Sequence, residues 1–540
     1  MLKKLFILPF ILACGYAEIT LQDINSKPPS RAKNFMIWQY LKQDITSTQA
    51  DKAYEQVLGE NNTLLQAYLK KSRNNKYIQY KIDCRNNKDL LHIQDKECLN
   101  LALNPYKTLA MTKNQRLELA KKLDSASEKE FLRLQNEPFS QKNYESYSPN
   151  AVLRLFISTT AFHRRKNLNI YLDEHFINTL VSSARISQLI QIIVYDDALD
   201  QLQKSILNLH GSNLDSQSNF LLALHCLRHS KEKKALEFFE FSRLTAKKQI
   251  DRDKSSFWIY QISKNKDSLN KLLLSMNINM YTLYAHELSG KVFNNYFATL
   301  ETVDRKPHKN IQDPFEWDKI YKEIQDTPNE KLLNLAKTYN SKHMVPIQSL
   351  IIEKANAYQM HSFIMPYDEY LDNISIDEKA LVYAIMKQES LFIPAALSRS
   401  FALGLMQLMP FVTDDLSKKI DKPIKSYDEM FIPKNNIKYA LKHLAWMKKS
   451  LYHPVFMAYA YNGGMGFLRR HLEDGTFKDG KYEPFFSMEF MQNAESREYG
   501  KKVLANYVMY KKILGEDISI IHLFDTLMQP KMTDRFRAQG

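Results

Sequence analysis

Along most of this chain apolar residues recur three and four positions apart, the spacing that lines one face of a helix. Punctuation is sparse: between Tyr16 and Leu403 the only glycines are Gly59, Gly211 and Gly290. A region so short of turn-forming residues is not β-rich. Prolines fall between the apolar-periodic runs, as at Pro28, Pro29, Pro105, Pro138, Pro149, Pro307 and Pro314. Two stretches read as helical hairpins. Residues 219–227 and 235–239 flank a polar turn at 231–233, and residues 255–261 and 269–276 flank another at 264–267. Stacked pairs of this kind build an α-superhelix, although no strict repeat period is present. The expected fold class is all-α: a long N-terminal solenoid followed by a mostly helical C-terminal domain.

Glycine returns after Leu403, at positions 404, 463, 464, 466, 475, 480, 500 and 515, which marks a domain with tighter turns. Its opening stretch holds the candidate chemistry. Ser375 with Glu378 three residues on is a helix-start signal. Ile376, Ala380, Leu381, Ala384 and Ile385 then define an apolar stripe, and a further step of four from Ile385 reaches Glu389. The pattern therefore predicts a carboxyl on a buried face near a helix C-terminus. Desolvation and the negative helix end both disfavour its ionisation, which suits a general acid near neutral pH. Asp414 and Asp415, after Pro410, read as the start of another surface helix.

The sequence around Glu389 (AIMKQESLF), then Ser398, then residues 404–410 (GLMQLMP), with two later blocks at 460–464 (AYNGG) and 495–499 (ESREY), resembles the soluble lytic transglycosylases. These bacterial enzymes cleave the glycan strand of peptidoglycan with a lysozyme-like domain. The resemblance covers motifs over roughly residues 375–510 and is architectural before that. It implies a ring-like superhelix carrying the catalytic domain, and Glu389 as the single acid and then base. By position it also implies Ser398 and Gln407 as polar substrate contacts and Met406 as an apolar residue shaping the cleft. Tyr461 would lie beside the reacting sugar, Asn462 would brace the turn, and Glu495 would be a second acidic cleft residue. Tyr499, Tyr507 and Tyr510, at helical spacings, read as core or cleft wall, and Tyr499 is also taken as a substrate contact. Three positions depart from the family pattern: Phe401 and Gly463 stand where Gly and Ala are usual, and Gly500 where a β-branched residue is common. Phe401 is expected to alter the loop before Gly404 and narrow the cleft.

The remaining composition sets the compartment. Met1–Lys4 is basic, Leu5–Ala13 is a short apolar run and Gly15–Ala17 is small-residue rich, so residues 1–17 read as a secretory signal. Cys14 is the residue a lipid anchor would use, with Leu12 a poor fit to that processing box. Past the signal, Cys84 and Cys98 enclose a short loop and either bridge, stabilising by roughly 3 kcal/mol, or stay reduced. No Cys/His spacing suggests a metal and no cofactor is implied. Net charge is +15, of which residues 366–540 carry about +2. An exported protein meets peptidoglycan carboxylates rather than nucleic acid. The expected organisation is a signal at 1–17, superhelix at 18–280, helical linker at 281–366 and catalytic domain at 367–540, in the periplasm and without a membrane span. Two other readings stay open: a goose-type lysozyme that uses water, and a non-catalytic scaffold docking other cell-wall enzymes.

Overall fold

The structure, a computed structural model, describes residues 18–59 and 61–537; the signal segment and Cys14 lie outside them. The chain is all-α, and the paired strands are two residues long, Tyr296–Phe297 running parallel to His361–Ser362. Sparse prolines serve as helix starters: Pro105, Pro149, Pro314, Pro410, Pro433 and Pro454 each sit in a first helical turn, where a missing N–H costs nothing. Both expected hairpins form. Ser216–Arg228 packs on Glu232–Thr245, and Gln249–Ser263 packs on Lys266–Leu273, each helix also touching its neighbour in the series. Among the described residues, no helix is long and apolar enough to cross a membrane.

Among the described residues, packing divides into one large core and two satellites. The large core is continuous from Ile24 to Leu527 and includes the apolar face of the helix Ile376–Ser390. One satellite gathers Ile311, Ile320, Ile324, Leu332, Met344, Ile347 and Ile351 around the helices Pro314–Asp326, Leu332–Thr338 and Val345–Ala355. The other collects Leu90, Leu99, Leu119 and Leu132, next to a bond between Cys84 and Cys98.

The superhelical region touches the C-terminal domain at two places far apart in sequence. Near the chain start, Gln39 Nε2 donates to Asp428 Oδ1 at 3.2 Å and Lys42 to the Tyr427 hydroxyl at 3.3 Å. Near residues 195–290, Tyr195 donates to the Glu489 carbonyl and Tyr281 to the Glu489 carboxylate, at 3.1 and 2.9 Å. The chain thus returns to its own beginning through the C-terminal domain.

Candidate active site

The helix Ile376–Ser390 begins where the sequence places it. Ser375 Oγ accepts from the Glu378 amide, and the Glu378 carboxylate accepts from the Ser375 amide. Ala380, Leu381, Ala384 and Ile385 are buried as the stripe requires, whereas Ile376 is 40% exposed because the first turn projects beyond the core. Leu391 and Phe392 both take left-handed backbone angles, at φ +51° and +66°, which end the helix sharply after Glu389.

Glu389 is enclosed on most sides, and burial pushes its carboxyl up to about 7; a hydrogen bond from Tyr499 works the other way, and the Glu495 charge adds to the rise. Tyr499 Oη donates to Glu389 Oε1 at 2.8 Å. Tyr499 stands on the helix Ala494–Ile513, which packs lengthwise on the Glu389 helix and on Pro454–Gly463. The side chain of Lys387, two residues before the acid, is committed elsewhere, to the Ser362 carbonyl and the Phe363 ring.

The helix Pro454–Gly463 presents Tyr461 and Asn462 at its end. The Tyr461 hydroxyl donates to the Met406 carbonyl at 2.6 Å. Burial, with the Glu389 charge second, drives the Tyr461 phenol well above its ordinary value, so Tyr461 is neutral. Asn462 Oδ1 accepts from Ser496 Oγ at 2.7 Å, and its Nδ2 faces Glu495 Oε1 at 3.4 Å. These links join the second and third sequence blocks into one wall. Gly500 makes that wall possible: a Cβ there would lie 2.2 Å from the Tyr459 ring.

The third side is the loop 396–408. Ser398 Oγ accepts from the amides of Ala402 and Ser400, at 2.9 and 3.2 Å, leaving its own proton free to donate. Gln407 spends both amide protons on the Ala396 and Gly404 carbonyls, so its Oε1 remains for a ligand. Gly404, at φ +69°, lies so close to the Met430 carbonyl that a Cβ would sit 2.3 Å from it.

Two expectations change. Met406 is 0% exposed, so its side chain fills the core and does not line the cleft; its carbonyl holds Tyr461 instead. Phe401 does not narrow the cleft: it is buried and packs at a tilt against Phe35 and Trp38, with both ring-centre distances 5.4 Å. Tyr507 and Tyr510 are buried, as the core reading of their spacing requires, and donate to Asp377 and to the Ile364 carbonyl. Asn436, which sequence reasoning missed, is fully buried, accepts from the Met406 amide and donates to the carbonyls of Leu403 and Met430. Its signal was an amide four residues before Ala440 on an apolar stripe.

Comparison with known proteins bears on this geometry. Residues 370–483 match the family model described as the transglycosylase SLT domain. A putative soluble lytic murein transglycosylase of Haemophilus influenzae is 30% identical over 227 residues, covering 41% of this chain and 37% of that one. The soluble lytic murein transglycosylase of Escherichia coli K12 is 25% identical over 207 residues, covering 37% and 31%. The aligned stretches thus span about a third of these relatives' lengths. A solved complex of the 70 kDa soluble lytic transglycosylase with bulgecin A superposes with a TM-score of 0.50 at 14% identity, covering 92% of this chain and 83% of that one. At that identity the likeness is one of fold.

Proposed function

We propose, for a chain that belongs to the soluble lytic transglycosylase family by its SLT domain, that it is an exported, periplasmic enzyme cleaving the bond between N-acetylmuramic acid and N-acetylglucosamine in peptidoglycan without water. The observation that carries this is a single carboxyl, Glu389, held near 7 by burial and touched by one tyrosine hydroxyl. Near neutral pH such a group is present in both protonation states, which a reaction using it first as acid and then as base requires.

In the first step the Glu389 proton passes to the glycosidic oxygen as the C1–O bond breaks, and the sugar's own N-acetyl oxygen stabilises C1. In the second, the Glu389 carboxylate takes the proton of the muramyl C6 hydroxyl while O6 bonds to C1, closing a 1,6-anhydro ring. Protons balance on one residue, and the products together have the mass of the substrate. Tyr499 steadies the carboxylate between the steps. Ser398 through its proton, Gln407 through Oε1, and Tyr461, Asn462 and Glu495 along the wall are the proposed sugar contacts. The division into superhelix (18–280), linker (281–366) and catalytic domain (367–540) belongs to the same proposal.

A hydrolytic reading is favoured by one feature: the Glu495 carboxylate lies near enough to raise the Glu389 value and is exposed to solvent. Such a carboxylate is placed to activate a water. Mass spectrometry of products from intact peptidoglycan separates the readings. Non-reducing 1,6-anhydro ends, lost with Glu389→Gln, support the transglycosylase; reducing ends carrying an added water contradict it, and no new ends from the wild type leaves the scaffold reading.

A further inference from the structure

The loop that bears Ser398 is held from outside the catalytic domain. Arg31, the first residue of the helix Arg31–Tyr40, donates from Nη1 to the Leu397 carbonyl at 2.8 Å. Asn61 donates from Nδ2 to the Arg399 carbonyl at 2.9 Å. Between those two carbonyls lies Ser398, whose hydroxyl oxygen is already engaged by the loop's own amides. Two residues beyond Arg399, Phe401 is buried against Phe35 and Trp38 of the same N-terminal helix. Phe35 also meets Tyr427 and Phe431, so the aromatic cluster is anchored on both sides.

Phe401 makes this grip informative. Its backbone is left-handed, at φ +67°, a conformation that disfavours a residue with a Cβ. Such a residue persists where its surroundings over-determine it. Here the surroundings are N-terminal: the ring packs against a pair of aromatics more than 360 residues earlier, and the carbonyls at 397 and 399 are tied on either side of Ser398. Glycine would accept the same angle without any clamp. The phenylalanine converts a locally permitted turn into one fixed by a distant segment.

We propose that Arg31 and Asn61, with the Phe35–Trp38 pair against Phe401, are positioning residues for the reaction: they fix the loop 397–402 so that the Ser398 proton points toward the substrate. This rests on the reading of the site given above. The N-terminal helices are then part of the active-site architecture as well as of the superhelix. Asp318, on the helix Pro314–Asp326, lines the same cavity as Arg31, Asn61 and Arg399.

The test uses the full chain with Arg31→Ala, Asn61→Ser and the double variant. Serine keeps the oxygen with which Asn61 caps the helix Asn62–Leu69 but is too short to reach the Arg399 carbonyl, so each change removes a donor at the edge of the contact and leaves the aromatic cluster intact. For the double variant, kcat/KM on peptidoglycan should fall about 10–100-fold, the usual consequence of a misplaced contact. Its melting temperature should stay at the wild-type value, and hydrogen exchange should quicken in peptides spanning 396–408 and not elsewhere. Arg31→Lys, which keeps a donor toward the Leu397 carbonyl, should restore part of the rate. Wild-type kinetics and exchange in the double variant would overturn the inference. So would a loss of activity that tracks a global fall in melting temperature, because the contact would then be merely structural. If wild type itself makes no new ends, the proposed activity fails, while the exchange comparison still decides whether the clamp exists.

Discussion

The Tyr499 hydroxyl reaches Glu389 Oε1 at 2.8 Å across 110 residues of sequence. This bond is the restraint on an acid that burial would otherwise push higher still, since burial raises the carboxyl and the tyrosine lowers it. A hydrogen bond to a charged group contributes roughly 1.5–3 kcal/mol. Tyr499→Phe should therefore raise the Glu389 pKa and slow the step in which the carboxyl acts as acid, because the carboxylate it becomes loses that hydrogen bond. We expect kcat to drop about tenfold or more and the pH–rate profile to shift toward alkali. A fall in rate with an unmoved profile would mean that Tyr499 serves only as packing.

The same carboxyl links activity and stability to pH. Its folded value of about 7 lies above the ordinary 4.5, so between these values the folded chain keeps a proton that the unfolded chain has lost. Stability must then fall as pH rises through this window, by an amount on the order of 3 kcal/mol from this one group. Glu389→Gln has nothing to titrate, so its stability relative to wild type should grow from pH 5 to pH 8. Denaturation of both proteins across that range checks the sign. In parallel, wild-type kcat/KM should decline about tenfold per pH unit above 7, because the free enzyme must carry the proton.

Gly500 stands immediately after Tyr499, where an added Cβ would lie 2.2 Å from the Tyr459 ring. Tyr459 is fully buried and cannot swing aside. Gly500→Ala should destabilise by about 1–3 kcal/mol, the usual cost of overpacking, and Gly500→Val by more. Thermal melting measures this directly. A neutral substitution would show that the two helices separate easily.

Behind the same helix, Lys501 Nζ bonds Glu489 Oε2 at 2.7 Å and Glu498 Oε1 at 3.1 Å, with lysine and Glu489 almost entirely buried. Burial works against ionised Glu498, yet the Lys501, Lys254 and Arg497 charges hold it down at about 2. Lys501→Met would leave the buried Glu489 carboxylate without the lysine that pairs with it, at a cost of about 3–5 kcal/mol. Adding Glu489→Gln should recover part of that loss, which a double-mutant comparison of unfolding midpoints resolves.

Much of this arrangement was legible in the sequence because it is local. The Ser375–Glu378 start, the four-residue steps to Glu389 and the scarcity of glycine before Leu403 are properties of neighbouring residues, and each has its counterpart in the fold. What stayed hidden depends on pairs far apart. Phe401 reads as a bulky residue in a cleft loop until Phe35 and Trp38 are placed beside it. Met406 reads as cleft lining because its neighbours in the motif face the site, but alternation within a tight loop turned its side chain into the core. Asn436 looked like one amide among many on a helix, and only the three backbone groups it serves reveal why it is there.

Digestion of intact peptidoglycan in water enriched in heavy oxygen addresses the reaction at its root. If Glu389 passes the proton of the C6 hydroxyl and closes the anhydro ring, wild-type protein makes new chain ends that carry no label, and Glu389→Gln makes none. One heavy oxygen at each new reducing end would mean that a water attacks C1, which contradicts the assignment of Glu389 as the single acid and base.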